Sequence, residues 1–450
     1  MLSSSPIQQD YHEVTKHSVR SVQIDPNYVD ARTQPASFKT YPSFFRRFPL
    51  DLNHPFHPFL SLTSAITDQK NYREGSYSLR VQPSAGALYP TELYVQLRGI
   101  HGMLDGIYHL EPNTCSLTLI YELIDDALEG YWPDSRLIKG CILLVSCVYF
   151  RSSWKYKNRS LRYCFLDSGH HLGAIEAAAY ASHHPYQIRF DVDGLALNDD
   201  LGFETKEFVT AAVVIGEPKA KTVRRLRSPL PFVAGTDYFE PNRFIEAGYK
   251  QTLSTLVQTQ SIQQPTFPLG PTQWQQAIAQ RRSARRFYPH SICLASFQTI
   301  WSALKQPIPS PYSETLTIYA VVQRVTDLQP GLYCSNFLPS RDSNHFLQDS
   351  YRLKVGEFQA QTGHLCINQA IARDGAVVFF IVADCRNYRV ALQQAGLLGH
   401  RIYLAATALN LGCSGIGAFY DDETQAFLDT DRPVLYAMAI GQILAPHQGA

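Results

Sequence analysis

Apolar residues along the chain fall into short runs separated by polar and turn-forming residues. The run CILLVSCVYF at 141–150 and its counterpart at 376–383 each have the length of a buried strand. Each is followed by a helix rich in small residues, GHHLGAIEAAAYA from Gly169 and GLLGHRIYLAATA from Gly396, and then by a final apolar strand, AAVVIG (211–216) or YAMAIG (436–441). Ahead of them stand ELYVQL (92–97) and TIYAVV (317–322), each leading to a turn and strand that open on Gly106-Ile107-Tyr108 or Gly331-Leu332-Tyr333. No run approaches the roughly 20 residues of a membrane-spanning helix.

The two sets of elements repeat at nearly constant distance. The Gly-x-Tyr turns, the first strands and the last strands are all shifted by 225 residues, and the small-residue helices by 227. Four anchors in one order at one spacing predict a tandem duplication. The stretch from Lys219 to Gly270 is basic, then polar and proline-rich, and reads as a linker. Three segments follow: an N-terminal domain at 1–218, a linker at 219–270 and a C-terminal domain at 271–450. The expected class is α+β: two tandem domains, each a mainly antiparallel sheet flanked by helices.

Composition narrows the function. With 450 residues and a formal net charge of +1, from 40 basic and 39 acidic residues, no global field favours nucleic acid or an anionic membrane. The N-terminal MLSSSPIQQDYHEV lacks the basic and apolar regions of a signal peptide, so a cytoplasmic protein is expected. The nine cysteines form no CxxC, and His170-His171 and His183-His184 have no partners at ligand spacing; buried thiols and no metal are expected. The run Arg224-Arg225-Leu226-Arg227 reads as a solvated face.

Candidate chemistry sits in four places. Pro83-Ser84-Ala85-Gly86-Ala87-Leu88-Tyr89-Pro90 precedes a strand; its prolines and glycine fix a tight loop, and its small side chains let backbone approach a flat ligand. Lys155-Tyr156, in WKYKNRS, is either a surface lysine beside a core aromatic or a proton-handling pair. Arg281, Ser283 and Arg285 stand at alternate positions, which suits either an exposed basic helix end or a phosphate held from several directions. Leu411 to Gly417 is a short glycine-containing stretch, a weak signal alone.

PSAGALYPTELYV resembles the flavin loop of SagB-type dehydrogenases, the branch of the nitroreductase superfamily that includes azoline oxidases of ribosomal peptides. Tyr11-His12-Glu13, Thr15 to Ser18, Phe38 to Pro42 and the stretch from Tyr149 to Gly173 resemble the same branch. In the second copy, RRSARRF (281–287) and the stretch 395–422 are similar to the superfamily more generally. The resemblance implies an FMN cofactor. It implies Pro83, Ser84, Ala85, Gly86 and Leu88 at the flavin, Arg281, Ser283 and Arg285 at its phosphate, and the backbone of Gly415, Ile416 and Gly417 close by. It also implies that Lys155 and Tyr156 manage a substrate proton while hydride moves to the flavin.

The copies have lost different motifs. At the fixed shift RRSARRF falls on FHPFLSL (56–62), PSAGALYP falls near Pro309 to Glu314, and the Gly415 stretch falls near Gln187-Ile188-Arg189. Since nitroreductase dimers place FMN where two subunits each give one motif, the expectation is an intramolecular pseudo-dimer with one FMN, acting on a small molecule or peptide. The alternatives are an NAD(P)H-dependent nitro- or quinone reductase and a flavin-binding protein without turnover.

Overall fold

The computed structural model describes residues 11–25, 29–72, 75–336 and 350–444. The first ten residues, part of the segment in which no targeting signal was found, lie outside the described residues. The chain forms two compact units. One comprises Asn27–Gln264 with Ile308–Ser313; the other comprises Met1–Pro26, Pro265–Pro307 and Glu314–Ala450.

The first unit holds strands β1 (Arg47–Pro49), β2 (Ile66–Tyr72), β3 (Gly75–Arg80), β4 (Thr91–Arg98), β5 (Gly106–Glu111), β6 (Ser116–Glu122), β7 (Arg136–Val148), β8 (Gln187–Arg189) and β9 (Glu207–Thr222). Seven form one sheet in the order β1-β6-β5-β4-β7-β9-β8, every pairing antiparallel, while β2 and β3 make a separate hairpin. Its helices include α1 (His57–Ser64), α2 (Phe150–Tyr156), α3 (Ser160–Ala181) and α4 (Arg243–Gln251). Strand β4 is buried at every position but Arg98, and α3 is buried from Ser160 to Ala179, so each packs on more than one side. That is why their sequences are apolar or small throughout, with no clean polar face. The stretch 219–264 is folded onto this unit: β9 continues to Thr222, and Tyr249 of α4 stacks on Phe208 at 4.3 Å. The basic run there is paired and partly exposed, Arg225 with Asp193 at 2.7 Å and Arg227 with Asp125 at 2.5 Å.

The second unit holds β10 (Leu316–Val322), β11 (Gly331–Asn336), β12 (Ser350–Val355), β13 (Val377–Ala383), β14 (Leu411–Ile416) and β15 (Val434–Gln442), in the order β12-β11-β10-β13-β15-β14. Helices α5 (Pro271–Gln280), α6 (Leu294–Lys305), α7 (Tyr388–Ala408) and α8 (Asp421–Leu428) complete its main elements. The first described residues belong here: His12 Nδ1 lies 3.1 Å from the Tyr388 hydroxyl, and Lys16 pairs with Asp422 at 2.8 Å.

The two sheets share one strand order, with β6, β5, β4, β7, β9 and β8 answering to β12, β11, β10, β13, β15 and β14. The likeness reaches details. A β-bulge falls between Ile107 and Tyr108 and again between Leu332 and Tyr333. The Tyr108 hydroxyl donates to Leu104 O at 2.8 Å, and the Tyr333 hydroxyl to Gln329 O at 2.8 Å. The result is an α+β fold in two sheet domains, each an antiparallel sheet flanked by helices.

The fixed shift fails at one place. Residues 57–62 belong to helix α1, packed on α3, whereas within 281–287 it is 283–284 that run beside β14, so FHPFLSL is not the counterpart of RRSARRF. An RRF sequence does recur at 46–48, but there Arg46 lies over the Phe48 ring and Arg47 reaches Glu111 at 3.3 Å. Those arginines serve the β1–β6 edge.

Candidate functional site

Between β3 and β4, residues 83–90 make the loop that the sequence singled out. Ala85–Ala87 form a single 3-10 turn, with φ of 64° at Gly86, 55° at Ala87 and 48° at Tyr89. Three left-handed residues in four are costly for any but glycine, and this turn exists because side chains elsewhere fix it. Ser84 Oγ donates to Asp167 Oδ2 at 2.5 Å and accepts from Tyr89 N at 2.9 Å, while Ala85 N donates to Asp167 Oδ1 at 3.2 Å. Arg80 N donates to the Tyr89 hydroxyl at 3.1 Å. Pro83 and Leu88 are buried, Ser84 and Ala85 half-buried, and Gly86 exposed, so the turn presents backbone outward. At its head the Gln82 side chain is buried with neither amide atom hydrogen-bonded among the described residues.

Helix α2 brings Lys155 and Tyr156 to this loop. A Cβ placed on Gly86 would lie 2.8 Å from the Tyr156 hydroxyl and 3.4 Å from Lys155 Nζ, so only glycine lets the three meet. Lys155 Nζ sits 5.5 Å from the Tyr156 ring centre, and that ring packs on Tyr163 at 4.3 Å. Burial pushes the Tyr156 phenol well up, with Tyr163 and Asp167 adding to the shift, so it stays protonated. The helix is anchored by Arg151, which pairs with Glu92 at 2.6 Å and donates to Tyr89 O at 2.9 Å, Gly235 O at 2.5 Å and Ala36 O at 2.9 Å. Although burial opposes it, Arg151 and His109 hold the Glu92 carboxyl well below the usual range. Asp167, Arg151 and Glu92 were not singled out by the sequence; the only sign was a charge inside a small or apolar run.

The second unit assembles the other set. Arg281 is buried at the end of α5, with its guanidinium 5.4 Å from the Tyr403 ring centre. Ser283 bridges to Cys413, and Ala284 N donates to Cys413 O at 2.8 Å, so 283–284 run beside β14. Tyr403, on α7, joins the parts: its hydroxyl lies 2.9 Å from Ser283 Oγ and accepts from Gly415 N at 2.8 Å. Burial first, and then Cys413, push the Tyr403 phenol up to about 12. Gly415 and Ile416 are the last residues of a strand, and a Cβ on Gly415 would fall 2.0 Å from the Tyr436 hydroxyl. Ile416 belongs to the core, Gly417 is half-buried, and Arg285 is exposed with no partner among the described residues.

These residues fit the parts of a flavin nucleotide. Two guanidiniums and a hydroxyl supply the charge and the hydrogen-bond donors that a phosphate takes. An outward backbone turn with an unsatisfied amide at its head matches a flat ring edged with acceptors and one N–H. Among the described residues no group of histidine, cysteine or carboxylate side chains is arranged to hold a metal ion, and no helix is long and apolar enough to cross a membrane.

Comparison with known proteins bears on the fold. Residues 278–442 match the Nitroreductase family model. A curated protein from Methanocaldococcus jannaschii, provisionally named a nitroreductase, is 30% identical over 128 residues, which are 27% of this chain and 59% of the relative. The chain thus spans about three-fifths of that relative's length. The crystal structure of a provisionally named nitroreductase from Anabaena variabilis superposes with a TM-score of 0.79 at 24% identity, covering 97% of this chain and 99% of the other. At that identity the likeness establishes the fold.

Asp167 makes one pH dependence predictable. Burial raises its carboxyl to about 7, against the hydrogen bonds from Ser84 and Ala85. The folded protein therefore keeps this proton at a pH where the unfolded chain, near 4, has lost it. Stability from this group falls as pH rises from about 4 to about 7 and is level above. Melting temperatures of Asp167→Asn should gain on wild type between pH 5 and pH 8. Parallel profiles would show that the carboxyl titrates normally.

Proposed function

We propose that this chain is an FMN-dependent oxidoreductase of the SagB-type dehydrogenase branch, built as a tandem duplication. Its substrate would be a small molecule or a peptide. The observation that carries the reading is the meeting of Gly86 backbone, the Tyr156 hydroxyl and Lys155 Nζ in one unit. That meeting joins the loop suited to a flavin ring with two proton-handling groups. Bound FMN supplies a hydride acceptor at N5. Arg281, Ser283 and Arg285 would hold its phosphate, and the turn Ser84 to Ala87 would lie against its ring. Tyr156, kept protonated, donates a hydrogen bond or proton. Lys155 is then the member of the pair that takes the proton a substrate loses with hydride.

One flavin per chain is proposed because each motif occurs once. In the second copy the counterpart of the loop, Pro309 to Glu314, has no glycine and no left-handed residue. It is used as a strap on the first unit: Ile188 N donates to Pro309 O at 2.7 Å, and the Tyr312 hydroxyl to Asp191 at 2.7 Å.

The purified protein should be yellow, and flavin released by denaturation should be FMN by mass spectrometry at close to one per chain. A ratio near two would show two working sites. A colourless protein that takes up no added FMN would end the reading, and rapid NADPH oxidation with a quinone would place it with the reductases instead.

Arg281→Ala should weaken FMN binding by about 1.5–3 kcal/mol, the range for hydrogen bonds to a charged group. Arg225→Ala, whose residue pairs with Asp193 on the surface, should leave binding unchanged. Equal flavin retention by the two variants through dialysis would contradict the phosphate assignment.

Lys155→Ala and Tyr156→Phe should keep flavin spectrum and melting temperature. Substrate-driven bleaching of the flavin, scored anaerobically in a metabolite and peptide screen, should slow by about a hundredfold or more. Loss of flavin with normal reactivity in the remaining holoprotein would make the pair structural.

A further inference from the structure

We propose that Asp167 is the positioning residue of this site, its carboxylate setting where the Gly86 turn meets Tyr156 and Lys155. The inference rests on the flavin reading above for what the turn positions, and on geometry alone for the coupling itself. Asp167 is 4% exposed, and its two oxygens take the Ser84 hydroxyl and the Ala85 N–H. Ser84 has one hydrogen to give. Giving it to Asp167 leaves the oxygen's lone pairs for Tyr89 N, so one carboxylate closes the turn at both ends.

The same face of α3 also supports the Lys-Tyr pair. Tyr163 lies one helical turn before Asp167, and its ring packs on Tyr156 at 4.3 Å. Loop and pair are thus registered against two residues on one helix face.

The second copy separates the structural part of this tie from the rest. At the shift of 227 that aligns the two helices, Asp167 falls on Gln394. Gln394 Oε1 accepts from Glu314 N at 3.0 Å, at the end of the second copy's remnant loop. A helix-to-loop tie therefore exists in both copies, with a neutral amide in one. It carries a charge only in the copy that has the glycine turn and the Lys-Tyr pair. A fold that needed only a tie would be served by the amide.

Across the range in which Asp167 titrates, the neighbours that feel its charge do not change state. Tyr156 on α2 and Cys147 on β7 are both pushed up by burial first, with Asp167 adding to each shift; His171, also on α3, is held neutral by burial, at about 3. Lys155 Nζ sits over the Tyr156 ring, 5.5 Å from its centre.

The test is a double-mutant cycle of Asp167→Asn and Ser84→Ala in the full chain, read by quenching of FMN fluorescence at pH 6 and pH 8. Each single variant should weaken FMN binding about tenfold at pH 8, and the double variant no more than the weaker single, because both act through one contact. Wild type should lose more affinity between pH 8 and pH 6 than Asp167→Asn, the change common to both being that of the FMN phosphate, which itself titrates at about pH 6. Additive losses near a hundredfold, or an unaltered pH response in Asp167→Asn, would overturn the proposal. If wild type binds no FMN at either pH, the flavin reading fails. The coupling is then judged on the same cycle in apoprotein melting temperatures, where additive shifts sink it and a shared shift sustains it. Should Asp167→Asn not fold, Asp167→Gln, the residue found in the second copy, replaces it.

Discussion

The guanidinium of Arg151 is fully buried, and the first unit's chemistry is arranged around it. Removing such a group from water costs several kcal/mol unless every donor is met. Here Glu92 and the carbonyls of Tyr89, Gly235 and Ala36 meet it. Those partners lie on β4, on the last turn of the loop, and on two segments flanking the sheet. One side chain therefore fixes the start of α2 to the strand and to the loop that leads into it. Lys155 and Tyr156 follow one turn later on the same short helix. A seven-residue helix has little stability of its own, and its position comes from such tertiary contacts.

Against that anchor the two sheet domains can be compared as a natural experiment. Their strand order and bulge are common, so the sheet does not by itself make a site. What differs is local. In the first unit α2 is inserted between β7 and α3, while in the second β13 leads within a few residues to α7, capped by Asn387. In the second unit a buried arginine and the longer β14 strand, ending in Gly415-Ile416, replace the short β8. Divergence has gone to loops and strand ends, where a substitution need not disturb a buried sheet.

The features legible in the sequence were those written in composition over a few residues. Pro83 to Pro90 reads as a tight loop because proline and glycine restrict or free φ locally, and the apolar runs read as strands because burial on both faces demands it. Arg281, Ser283 and Arg285 were legible as a set but not as a geometry: Arg281 is buried, and Arg285 is exposed. Gly415 and Ile416 read as a loop and form a strand, because pairing with β15 decides the matter and glycine content does not. The roles of Asp167 and Tyr403 were not written in the sequence. Asp167 reaches Ser84 and Tyr403 reaches Ser283, each more than 80 positions away, and nothing near either one in the chain records those contacts. The failure at 56–62 has the same root, since a constant shift cannot register an insertion such as the β2–β3 hairpin.

The loop's own conformation shows why its support must be so extensive. Ala87 and Tyr89 carry left-handed backbone at about 1–2 kcal/mol each, with no glycine to relieve it. An isolated turn of this sequence would relax. It is held because its ends are gripped independently, by Asp167 through Ser84 and by Arg151 and Arg80 at Tyr89. Strain gripped from both ends leaves the centre of the turn little freedom, and that centre is Gly86, the exposed residue against which Tyr156 and Lys155 sit. A relaxed loop would fold its amides back into local hydrogen bonds. The strained one keeps backbone facing outward beside two proton-handling groups, so the charge buried at Asp167 and Arg151 is what makes the turn available for binding.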